Sequence, residues 1–129
     1  MGMEQTVTFA EGALPPWDAV RDLLARRGFP VQVRMIDNEL ALPDELPPDT
    51  WSELRLGTPS GMVTLRRDPH RVVLLTWANA DAALLQAWNA LAWALAEATG
   101  GRVQAPNGTF SAAEFLQTGD LPPAIKGNG

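Results

Sequence analysis

Cysteine is absent from this 129-residue chain, and histidine and lysine each occur once. Without cysteine there is no disulfide, no thiolate nucleophile and no cysteine-rich zinc site. A zinc site needs several nitrogen or sulfur ligands at defined spacing, and the single His70 cannot supply them. His70 follows Asp68-Pro69 in a predicted turn, where a general base would have neither a positioned partner nor a pocket. No G-x-S-x-G elbow, H-E-x-x-H helix or dinucleotide fingerprint occurs. Gly57-Thr58-Pro59-Ser60-Gly61 shares only its glycines with a phosphate loop. No Lys-Ser/Thr follows and no helix starts there, so it reads as a hairpin turn. Glu39, Asp44, Glu45 and Asp49 lie close in sequence but lack calcium-loop spacing, so no metal and no cofactor is expected.

Long apolar runs are missing too. No stretch of about 18 apolar residues and no basic-plus-apolar leader is present, so no membrane span is expected and a cytoplasmic location is. The net charge of −5 disfavours nonspecific attraction to nucleic acid or anionic lipid. Arg55, Arg66, Arg67 and Arg71 near Trp51 hold the ingredients of a single-strand stacking platform. The acidic balance and the missing RNA-recognition motif weigh against that use. Near-exclusive use of arginine over lysine suggests a bacterial coding sequence. The hydrophobic share of 46% suits one domain over residues 1–129, with residues 1–4 and 119–129 expected to be loose.

What is present centres on residues 80–99, ADAALLQAWNALAWALAEAT, closed by Gly100-Gly101. Leu84, Trp88, Leu91, Leu95 and Ala98 recur at helical spacing and share one face. Asn79 or Asp81 can cap the start, and Gly100 supplies the left-handed end. A second helix is predicted over 14–27, opened by Pro15-Pro16 and stopped by Gly28. Ser111-Ala112-Ala113-Glu114 is a capping box, which predicts a short helix over 112–117. Alternating segments at 6–10, 29–36, 39–42, 51–56, 62–67 and 71–77 predict strands. The proline-rich segment 43–50 reads as a loop. The expected architecture is therefore a two-layer α+β sandwich. It has a mostly antiparallel sheet of about five to six strands, with both larger helices on one face.

If Val7, Phe9, Val31, Val33, Leu54, Leu56, Val63 and Leu65 face the helices, the other sheet face is polar. It would carry Arg34, Trp51, Arg55 and Arg66. Val72 to Leu75 are apolar on both sides, so Val72 and Leu74 need a cover, either the C-terminal segment or a second chain. Trp93 falls opposite the long helix's main stripe, among Gln86, Asn89 and Glu97. It is either covered by a loop or offered to a partner.

The leading expectation is a non-enzymatic, cytosolic protein-binding module, with another protein or a second copy as partner. Arg34, Trp51, Arg55, Arg66 and Trp93 are its candidate contact residues. In size, acidity and missing catalytic groups the chain is analogous to small acidic bacterial immunity and adaptor proteins. The alternative is a small-molecule binder or minor enzyme, with an apolar pocket between sheet and long helix lined by Trp17, Trp77 and Trp88.

Overall fold

The strongest helix signal becomes the central element of the computed structural model, which describes residues 2–42 and 45–127. The Asp81 side chain accepts from the Leu84 N–H at 2.9 Å, and Gly100 ends the helix at φ 69° with its N–H on the Ala96 carbonyl. This helix, α2 (Ala82–Thr99), is buried on nearly every side. Ala87, Ala90, Ala92, Ala94 and Ala96 are fully enclosed, which lets neighbouring elements approach closely. A helix that is apolar all round belongs inside a protein.

Around it the chain forms β1 (Gly2–Thr8), α1 (Trp17–Arg26), β2 (Gln32–Ile36), β3 (Glu39–Leu40), β4 (Glu53–Thr58), β5 (Gly61–Asp68) and β6 (Arg71–Trp77) before α2. After α2 come β7 (Arg102–Ala105), β8 (Gly108–Ser111), α3 (Ala112–Thr118) and α4 (Pro123–Lys126). The strands make one antiparallel sheet of eight, in the order β3-β2-β4-β5-β6-β1-β7-β8. The α+β class matches expectation, whereas the strand count exceeds the five to six expected and the helix layout is matched only in part, since α1 begins at Trp17 and not at residue 14 and α4 is not among the helices expected. Two- and four-residue pieces such as β3 and β8 are held by pairing with a neighbour, not by an apolar alternation of their own.

The hairpin between β2 and β3 turns on Asp37 and Asn38, both at positive φ, a backbone suited to a two-residue loop. The Asp37 carboxylate then accepts from the Ser52 and Glu53 N–H groups at 2.8 Å each, which fixes the start of β4.

α2 packs against β1, β5, β6 and β7, while α1 and α3 pack against α2. Val7, Val33, Leu54, Leu56, Val63, Leu65, Val72, Leu74 and Val103 form the buried face of the sheet. Here one expectation is corrected. α2 itself covers Val72 and Leu74, with the Trp88 indole N–H donating to the Leu74 carbonyl at 2.9 Å.

Of the ends expected to be loose, residues 2–4 pair with β6, Leu121 and Ile125 are buried, and residues 1, 128 and 129 lie outside the described residues. Two amide side chains of α2 hold the C-terminal segment: Gln86 donates to the Asp120 carboxylate at 3.0 Å and Asn89 to its carbonyl at 2.8 Å. The capping box at Ser111 forms in full, so the short helix starts where the sequence places it. Pro43 and Asp44, within the expected acidic loop, lie outside the described residues.

Candidate functional site

Because side chains alternate along a strand, the residues between the buried ones point away from α2. Pairing across the sheet arranges these outward residues in rows. One row runs Leu40, Met35, Arg55, Thr64, Leu75, Glu4 from β3 to β1. The next runs Glu53, Arg66, Val73, Thr6, Gln104, Thr109 from β4 to β8. Beyond it stand Asp68, Arg71, Thr8, Arg102 and Ser111. On the opposite side of the first row lie Gln32, Gly57 and Met62, with Trp77 two residues past Leu75. A register shift between Val33 and Met35 puts Arg34 on this face as well. Its side chain lies across Gly57, where an added Cβ would meet Arg34 Nε at 2.8 Å.

The face is therefore apolar at one end and polar at the other. Trp77 is 67% exposed, Met62 39% and Leu40 85%. Met62, Leu75 and Trp77 line a shallow depression of about 340 Å³, with Arg55 and Arg66 on its polar side. Glu53 sits between those arginines, 2.9 Å from Arg66 and 3.7 Å from Arg55.

Charge is unevenly divided between this face and the rest. Among the described residues, five of the ten basic residues (Arg34, Arg55, Arg66, Arg71, Arg102) lie on it, with three of the fourteen acids (Glu4, Glu53, Asp68). The face thus carries +2 and the other described residues −6.

The structure separates the expected site residues. Arg34, Arg55 and Arg66 stand together on the outward face. Trp51 does not: it is 3% exposed, and the Arg67 guanidinium covers its ring at 4.6 Å. Arg67 also donates to the Asp49 carbonyl. Burial lowers the Arg67 pKa from its ordinary value, partly opposed by Asp49 and Asp37. Arg67 and Trp51 thus close the helix side of the sheet and offer no stacking platform.

Trp93 is likewise withdrawn, at 1% exposed. The Arg27 guanidinium lies 4.9 Å over its ring and donates to the Ile125 carbonyl at 2.6 Å, so the end of α1 and α4 close over it. A helix wheel that set Trp93 among polar neighbours could not show that a second helix packs on that side.

The pocket expected from Trp17, Trp77 and Trp88 is not assembled. Trp17 and Trp88 are each 3% exposed in the core, whereas Trp77 stands on the opposite side of the sheet. Sequence reasoning missed Met35, Leu40, Met62, Leu75 and Trp77 as one surface. A signal for it existed in the turn at Pro69-His70. Pairing across that two-residue turn sets Leu65 opposite Leu74, which turns Val73, Leu75 and Trp77 outward.

Among the described residues no helix is long and apolar enough to cross a membrane. Compared with protein-family models, curated proteins and solved structures, the chain matches none of them.

Proposed function

We propose that this chain is a protein-binding module that associates through the outward face of its sheet. The observation that carries the reading is Trp77, 67% exposed beside Met62 and Leu75 on a face that α1 and α2 do not cover. A monomer gains nothing from holding a large aromatic and a methionine in water. Association that dehydrates them is favourable by about 25 cal/mol per Å² of apolar surface removed. Tryptophan, methionine and arginine are the residue types enriched in protein interfaces. Arg34, Arg55 and Arg66 border the apolar end and supply directional hydrogen bonds to carboxylates or carbonyl groups. The alternative contact through Trp93 is set aside, because reaching its ring would require α1 to leave α2.

Site-specific photo-crosslinking in cells tests this. A photo-reactive amino acid at Met62 is expected to give discrete protein adducts, and the same group at exposed Glu97 on α2 is expected to give none. Absence of adducts from position 62, or equal adducts from both positions, would overturn the reading.

A further inference from the structure

We infer that the occupant of this face is a second copy of the same chain, packed sheet against sheet about a two-fold axis that runs along the strands between β4 and β5. The inference rests on the association reading above and names the partner. Such an axis superposes β4 of one copy on β5 of the other and β2 on β6, and it keeps each cross-sheet row at its own level. The charged pair and the apolar pair in the middle of the rows then become self-complementary, while Leu40 falls opposite Glu4 of the second copy. Glu53 meets Arg66 of the second copy, and Arg66 meets its Glu53. In the next row Met35 meets Leu75 of the second copy, and Arg55 meets its Thr64. Arg34, lying across Gly57, meets Met62 and Trp77 of the second copy, where a guanidinium can stack on an aromatic face.

Neighbouring axis positions are disfavoured by charge. An axis over β4 would set Glu53 on Glu53 and Arg55 on Arg55, and one over β5 would set Arg66 on Arg66. The position between the strands matches opposite charges in both directions.

Area gives a second argument. The six strands from β3 to β1, about 4.8 Å apart and rising about 3.3 Å per residue, cover roughly 550 Å². Two such faces bury about 1,100 Å², at the weak end of specific interfaces. The expected dimer is accordingly reversible, with a dissociation constant on the order of micromolar or weaker.

The test uses charge reversal in two separate chains. Glu53 and Arg66 already pair within one chain at 2.9 Å, so a double variant would restore both kinds of contact and decide nothing. Mixing single variants separates them. Arg66→Glu alone sets like charges across the interface, and so does Glu53→Arg alone. Each is expected to weaken its own dimer by about tenfold or more in sedimentation velocity. A one-to-one mixture restores opposite charges at both contacts between copies. The unchanged Glu53 of one chain faces the unchanged Arg66 of the other, and the two substituted positions face each other with opposite sign. Each chain meanwhile keeps its internal repulsion. The mixture is expected to sediment as a dimer. Met35→Glu, which places a carboxylate against Leu75 of the second copy, is expected to weaken association as well, and thermal unfolding checks that each variant is folded.

A wild-type chain that stays monomeric up to about 1 mM, or a mixture no more associated than its components, would overturn the second copy as occupant. In that event adducts from position 62 to a different protein would leave the association reading standing. Absence of any adduct would end both.

Discussion

The two faces of the one sheet use the same strands for opposite purposes. On the covered face Val7, Leu54, Leu56, Val63, Leu65, Val72 and Leu74 are at most 1% exposed. Their aliphatic side chains meet an α2 surface rich in alanine. On the outward face Met35, Leu40, Met62, Leu75 and Trp77 gather at one end with arginines beside them, and Val73 stands in the next row. Cores favour branched side chains that lock into one arrangement, whereas methionine and tryptophan adapt to a surface that arrives later. Folding encloses the covered face and leaves the apolar end of the outward face exposed.

That contrast can be broken most severely from the covered side. Leu91→Ala on α2 removes a fully buried side chain that neighbours cannot replace, and Trp93→Ala removes a larger one beneath Arg27. Each is expected to lower unfolding free energy by about 3 kcal/mol or more in denaturant titration. An effect under about 1 kcal/mol would mean that α2 is not the organising element.

Next in size is the cap. Asp81→Ala leaves the Leu84 N–H without its acceptor and is expected to cost about 1 kcal/mol in the same titration.

Acidification has a smaller effect on the short C-terminal helix. The Ser111 N–H, together with the other contacts of the capping box, holds the Glu114 carboxyl below its usual range. Its folded pKa is depressed, so the stability it lends is present above the unfolded value. That stability is lost as pH falls through the folded pKa. A Glu114→Gln variant is expected to remove this part of the acid dependence of unfolding, and an unchanged profile would contradict the role.

Much of the covered face was legible in sequence and much of the outward face was not, for a physical reason. The alternation in Val31-Val33, Leu54-Leu56 and Val63-Leu65 names buried residues directly, and all six are buried. The capping signals at Asp81 and Ser111 are local and act as their chemistry requires. Trp93 and Trp51 were misplaced because each is covered by an arginine distant in sequence, Arg27 and Arg67. In β6 the run Val72-Val73-Leu74-Leu75 is apolar in both phases, so alternation alone could not choose the outward set. Only cross-strand register settles it, and register is a property of two strands.

The smallest expected effect on folding belongs to Trp77, which is 67% exposed. Unfolding and light scattering should be measured side by side on the wild type, Trp77→Ser and Trp93→Ser. Trp77→Ser is expected to stay within about 0.5 kcal/mol of wild-type stability while losing concentration-dependent association, whereas Trp93→Ser is expected to lose stability. A Trp77→Ser chain that unfolds readily, or one that associates as the wild type does, would contradict the division between an enclosed face and an exposed one.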